Sequence, residues 1–369
     1  MVYAISNFLF SISDSFSFFR LVNYITFRAI MSALTAVVFI FLFSRTFILF
    51  MHRHSMLDMV RETGIQSAFD KRGTPTMGGV LIIGAVLSSM LIWGNWRNPY
   101  LLCSVAGMLW FGLLGLWDDL SKVKRNSGDK GLSEKTKLFL QGLFSLIFAW
   151  VCVGPYAPLG PQLATELYIP FYKYPLLDLG PLLYGLFIFV FVIFVSNAVN
   201  ITDGLDGLAI TPSLFVMAVL GIFAYVEGNK IYSAYLHYPF LRNAGELTIF
   251  GAAFVGAGLG FLWYNAYPAQ IFMGDTGSLA IGGTMAVASV LLKQEMLFPL
   301  LGGLFLAEAL TSQIQEKIGV QWIGRRIFYR APLHHDLQYK GIAETKVVIR
   351  LWILSGILAL LALATLKLR

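Results

Sequence analysis

Five short stretches of this chain gather carboxylates, amides, hydroxyls, imidazoles or cations in patterns that suit a cation and a phosphate. In Trp117-Asp118-Asp119-Leu120-Ser121-Lys122 two carboxylates stand side by side at the end of an apolar run. Adjacent carboxylates repel, and desolvation raises the pKa of the more buried one. Such a pair is sustained by a cation at i, i+4, as Lys122 is to Asp118, or by a hard metal ion such as Mg²⁺ that prefers oxygen ligands. In Ser196-Asn197-Ala198-Val199-Asn200-Ile201-Thr202-Asp203-Gly204-Leu205-Asp206-Gly207 the residues Asn197, Asn200, Asp203 and Asp206 recur every third position with no Lys or Arg among them. Neighbours at that spacing share a helix face or turn, and Gly204 and Gly207 let backbone approach a ligand closely. Asp206 is placed to cap the following helix, whose amide end favours anions.

Beyond Asn265 and Pro268, which stops a helix, Phe272-Met273-Gly274-Asp275-Thr276-Gly277-Ser278 opens the next one. Its free amides suit phosphate and Asp275 suits a metal; an ordinary N-cap by Asp275 or Thr276 is the alternative. Pro332-Leu333-His334-His335-Asp336 offers adjacent histidines, which do not share a helix face and so make no zinc pair by themselves. Asp70-Lys71-Arg72-Gly73 reads either as a phosphate clamp beside a glycine turn or as topology-setting charge. Carboxylates with Mg²⁺, glycine-turn amides and Lys/Arg are together the equipment of phosphoryl transfer.

The elements that must position these residues are membrane helices. Of 369 residues 57% are hydrophobic and 13% charged, against about 25% charged in soluble domains. That excludes a cytosolic enzyme, a secreted disulfide scaffold and a disordered chain; Cys103 and Cys152 both lie in apolar runs. A crossing takes about 20 apolar residues, and apolar runs fall near 27–51, 74–94, 99–117, 135–154, 180–198, 209–226, 245–263, 277–292, 296–315 and 347–366. The expected fold is therefore all-α, a polytopic helical bundle of about ten spans, without the alternation of a β-barrel. Residues 8–19, rich in Phe, read as an interfacial segment rather than a cleaved signal, and Trp322 to Arg330 reads as an interfacial helix.

Lys and Arg set the orientation. Segments 52–73, 118–137 and 316–346 hold sixteen of the 27 basic residues, and the opposite loops with both termini hold nine. The motif-bearing face is then cytoplasmic and both termini lie outside. The expected organisation is one transmembrane catalytic domain over 1–369, its site built from loops 52–73, 118–134, 199–208, 264–276 and 316–346. Few ionisable residues lie away from span ends, chiefly Arg45 and Glu308. That speaks against a transporter, and a partner for Glu308 is not legible in the sequence.

The Asn197–Gly207 and Phe272–Ser278 motifs, with Asp118-Asp119 and His334, resemble the polyprenyl-phosphate N-acetylhexosamine-1-phosphate transferases, in particular the branch that transfers phospho-MurNAc-pentapeptide. The resemblance runs from Lys71 to Lys340. It implies transfer from UDP-MurNAc-pentapeptide to undecaprenyl phosphate in the bacterial cytoplasmic membrane, giving lipid I and UMP, with Mg²⁺ as cofactor and a homodimer as assembly. By motif, it implies Asp275 as magnesium ligand, Asp118 as the residue that deprotonates or positions the lipid phosphate, and Asp119 in metal or phosphate organisation. It places Lys71, Asn200, Asp203, Asp206, Asn265 and Phe272 in the nucleotide pocket, with Phe272 stacking on uracil, and His334 at the diphosphate. The chain departs where the family's usual third histidine is Asp336, which adds negative charge near the diphosphate. A GlcNAc-1-phosphate transferase, a lipid or ion transporter and a non-catalytic scaffold are the competing readings.

Overall fold

The computed structural model describes residues 20–57, 73–125, 131–154 and 157–368; Lys71 and the Phe-rich segment 8–19 lie outside them. Helices stand at all ten expected positions: α1 (Ile25–Arg53), α2 (Gly79–Trp93), α3 (Pro99–Lys124), α4 (Glu134–Val153), a short α5 (Gly160–Leu163), α6 (Gly180–Thr202), α7 (Ile210–Glu227), a short α8 (Lys230–Leu236), α9 (Glu246–Asn265), α10 (Gly274–Leu291), α11 (Phe298–Leu301), α12 (Gly303–Gln313), α13 (Leu333–Tyr339) and α14 (Glu344–Ala364). Among the described residues seven are long and apolar enough to cross a membrane, namely α1, α3, α4, α6, α7, α9 and α14. One two-residue strand pair, β1 (Glu166–Leu167) against β2 (Leu177–Asp178), lies antiparallel between α5 and α6. The chain is an all-α polytopic membrane protein.

Local sequence explains several boundaries. Asn98 caps α3, its side chain accepting from Tyr100 N and Leu101 N, with Pro99 in the first turn. Ser133 caps α4 through Thr136 N. Gly94 and Gly154 follow the ends of α2 and α4. The ninth apolar run is not one helix. Gly302 divides it into α11, with Pro299 in its first turn, and α12, which continues as a π-helix over Ile314–Ile323. Of the expected interfacial helix Trp322 to Arg330, only Trp322 and Ile323 are helical, at the end of the π-helix; residues 324–330 are irregular, entered through Gly324 at φ 72°.

The core centres on α10, where every residue from Thr276 to Leu291 is buried. It packs between α3 and α6, while α9 packs on α1 and α7, and α4 on α6. Small residues bring these backbones close, as membrane helices require when no solvent drives them together. Gly115 of α3 faces the backbone of Asp275 and Thr276, where a Cβ would overlap the Asp275 carbonyl. α1 turns Leu34, Leu42 and Phe43 outward, an apolar surface suited to acyl chains.

Buried charge at the far end of the bundle is paired. Arg28 meets Glu246 at 2.9 Å. Lys293 donates to the Tyr184 hydroxyl at 2.7 Å and lies 3.7 Å from Glu295, which accepts from the same hydroxyl at 2.8 Å. Burial pushes Lys293 down and Glu295 up from their ordinary pKa values.

Candidate active site

α3 does not stop at Trp117 but runs on to Lys124, so Asp118, Asp119 and Lys122 project from one continuous helix. Asp118 is wholly buried. Its Oδ1 accepts from Leu132 N at 2.6 Å, and its Oδ2 lies 2.8 Å from both Lys122 Nζ and Lys137 Nζ. Both ammoniums also reach Asp275 Oδ2, at 2.9 and 3.0 Å. Asn200 of α6 donates to Asp275 Oδ1 at 3.0 Å and to Ser278 Oγ at 2.8 Å. Burial raises the Asp275 carboxyl, but contact with Asp118, the two lysines and the Asn200 amide outweighs it and holds the group below the usual carboxylate range.

Asp119 bonds the first turn of α10, its Oδ1 still 3.9 Å from Lys122 Nζ. It accepts from Asp275 N at 3.1 Å, Thr276 N at 2.9 Å and Thr276 Oγ1 at 2.7 Å. The cap of α10 is therefore supplied by another helix, not by Asp275 or Thr276 as the local sequence suggests. Gly274 makes this possible, with φ 71° and no Cβ to meet the Asp119 carboxylate.

Oxygen atoms of Asp118, Asp119 and Asp275 lie within 4.8 Å of one another. Carboxylates this close on two helices suit a hard divalent cation; both oxygens of Asp119 are engaged by the α10 turn, which leaves Asp118 and Asp275 as the donors best placed for it.

Asp203 terminates α6, but Asp206 does not cap α7. The residue before α7 is Ala209, and Asp206 Oδ2 instead accepts from Ala269 N at 3.0 Å. Asn265 is buried, its Oδ1 accepting from Gly207 N at 3.1 Å and its Nδ2 donating to Ile271 O at 2.9 Å. These bonds fasten the 203–208 turn to the 266–272 segment. Phe272 is half-buried and its backbone pairs with the segment before α2, through Pro75 O and Gly78 N at 2.8 Å each.

His334 gives Glu308 its partner. The Glu308 carboxylate, wholly buried on α12, lies 3.0 Å from His334 Nδ1 and 3.3 Å from His334 N. His334 Nε2 is buried without a hydrogen-bond partner and faces Gly204, where a Cβ would collide with it. Asp336 turns away from this contact. It pairs with Lys340 at 2.6 Å and accepts from Arg330 N at 3.4 Å, so the added charge at this position has its own cation.

The tertiary structure thus joins Asp118, Asp119, Asn200 and Asp275 in one cluster. Asp203, Asp206 and Asn265 line the adjoining turn, and His334 meets that turn at Gly204. Lys122 and Lys137, read from sequence mainly as pairing and topology residues, stand at the centre. The i, i+4 spacing from Asp118 was the available signal for Lys122. Nothing local marks Lys137, which comes from a different helix.

Residues 101–293 match the family model of glycosyl transferase family 4, a span that takes in α3, α6, α9 and α10 with their carboxylates. Residues 71–83 match phospho-N-acetylmuramoyl-pentapeptide-transferase signature 1, which includes the segment paired with Phe272. The chain belongs to glycosyl transferase family 4 and, within the polyprenyl-phosphate hexosamine-1-phosphate transferase superfamily, to the phospho-N-acetylmuramoyl-pentapeptide-transferases.

Proposed function

We propose that this transferase moves phospho-MurNAc-pentapeptide from UDP-MurNAc-pentapeptide to undecaprenyl phosphate, giving lipid I and UMP with Mg²⁺ bound, at the cytoplasmic face of the bacterial inner membrane. The observation that carries the reading is the convergence of Asp118 and Asp275 on Lys122 and Lys137, each carboxylate within 3.0 Å of both ammoniums. Asp118 and Asp275 are the oxygens available to Mg²⁺, with Asp119 presenting Asp275 to it. Held there, the ion would supply Lewis-acid polarisation of the diphosphate and charge neutralisation.

A lipid phosphomonoester, with a second pKa of about 6, is already largely dianionic at pH 7. Its approach to a diphosphate is opposed by charge more than by a proton, so Lys122 and Lys137 neutralise and orient it beside Asp118. An acceptor oxygen attacks the sugar-linked phosphorus, and the bond to UMP breaks as the new diphosphate bond forms. Asn200 holds Asp275 in place, and the 203–208 turn with Asn265, Phe272 and Lys71 receives the nucleotide. His334, oriented by Glu308, meets the diphosphate through Nε2. The lysine and arginine bias of the loops supports the cytoplasmic placement, and the family resemblance supports a homodimer, which native mass spectrometry in mild detergent tests.

The deciding experiment is UMP release by the purified protein with undecaprenyl phosphate. Release with UDP-MurNAc-pentapeptide, abolished by EDTA, is expected. Release with UDP-GlcNAc alone overturns the substrate, and a phosphorylated Asp trapped from nucleotide substrate alone overturns direct attack.

A further inference from the structure

Two amide side chains one turn deeper in the bundle have no part in the chemistry above. Gln141 lies four residues after Lys137 on α4, and Asn197 lies three before Asn200 on α6. Residues at these spacings share a helix face, so each amide stands below a residue that bonds Asp275. Asn197 Nδ2 donates to Gln141 Oε1 at 2.7 Å, and Gln141 Nε2 returns the bond to Asn197 Oδ1 at 3.4 Å. Asn197 Nδ2 also donates to Ile193 O at 2.8 Å. Gln141 is wholly buried. The helices run close here, since a Cβ at Gly142 would lie 3.2 Å from the Phe189 ring.

An apolar pair would fill this contact and tolerate sliding. A reciprocal amide pair does not, because displacement by one helical residue, about 1.5 Å, breaks its bonds. We infer that Gln141 and Asn197 form a positioning clip that fixes the register of α4 on α6 and so brings Lys137 and Asn200 together onto the two oxygens of Asp275. The inference rests on the reading of the Asp275 cluster as the catalytic centre.

The test pairs Gln141→Leu with Asn197→Leu, which removes both partners and strands neither buried amide. Thermal midpoint and UMP-release kinetics are measured on purified protein. The expected result is a midpoint near that of the parent with kcat lower by about tenfold and KM for the nucleotide substrate unchanged. The exchange Gln141→Asn with Asn197→Gln keeps the summed side-chain length and should restore most of the rate. In a Lys137→Gln background the leucine pair should lower kcat by less than about twofold, because coupled residues are not additive. A parental kcat in the folded leucine pair overturns the clip, as does a full tenfold loss in the Lys137→Gln background. If the leucine pair does not survive extraction, Gln141→Met alone decides by the same comparison with and without Lys137→Gln. Absence of UMP release from the parent would instead sink the catalytic reading itself.

Discussion

Asp119 closes the first turn of α10 with three hydrogen bonds, two of them to Thr276, while its neighbour Asp118 faces Lys122 and Lys137. Successive residues on a helix point about 100° apart, and this angle separates the two carboxylates of one dipeptide into a helix cap and a partner of two lysines. Loss of a capping side chain costs about 0.5–2 kcal/mol. Asp119→Ala should therefore lower thermal stability by that amount, and Asp119→Asn by less. Mn²⁺ binding followed by electron paramagnetic resonance should survive Asp119→Asn but weaken strongly in Asp275→Asn and Asp118→Asn. Equal weakening in all three would make Asp119 a ligand.

The carboxyl of Asp275 is held below its ordinary range in the folded protein. A depressed acid contributes stability that is present above its unfolded pKa, about 3.9, and is lost as pH falls towards the folded value. In EDTA, Asp275→Asn should lower the thermal midpoint relative to the parent from pH 5 to pH 8. The gap should close only below about pH 4. A gap that closes near neutrality would refute the assignment.

Glu308 fixes the ring of His334 through Nδ1, as carboxylates orient functional histidines elsewhere. Glu308→Leu removes that partner and should lower kcat on the order of 100-fold, whereas Glu308→Gln, which keeps an acceptor, should lose roughly tenfold. Steady-state kinetics with both variants would distinguish this from a purely structural role, in which the two would differ in stability alone.

Asp336 pairs with Lys340, a half-exposed residue, rather than with the Asp275 cluster. Asp336→Ala should cost about 0.5–1 kcal/mol of stability and leave kcat within about threefold of the parent. A collapse of kcat in well-folded protein would place Asp336 in the chemistry.

At the far end, Lys293 and Glu295 are both fully buried and share the Tyr184 hydroxyl. Removing one member of such a pair strands a buried charge and costs about 3–5 kcal/mol, while apolar replacement of both is often neutral or stabilising. Lys293→Met should thus lower the midpoint sharply. Adding Glu295→Leu should recover most of the loss, measured as thermal unfolding in detergent.

Ten helical positions, the polar motifs and the family were legible in the sequence because bilayer thickness imposes a length of apolar run and because chemistry imposes residue types at short spacing. Asp118-Asp119 and Asp275 announce themselves locally. Their division of labour does not, since it depends on which side of α3 meets α10, a matter of Gly115 allowing one close approach. Lys137 carried only a topological signal, and no periodicity links it to a carboxylate on another helix. Glu308 is conspicuous in the sequence as an acidic residue within an apolar run, yet its partner lies 26 residues away, beyond the π-helix and the irregular segment that follows it. The third-histidine position read as an unfavourable charge because sequence cannot assign Asp336 to Lys340 or turn it from the site. Composition and spacing are one-dimensional quantities and determined the elements and their chemistry. Only packing in three dimensions decided which face of each helix meets which, and with it which of the candidate groups share one site.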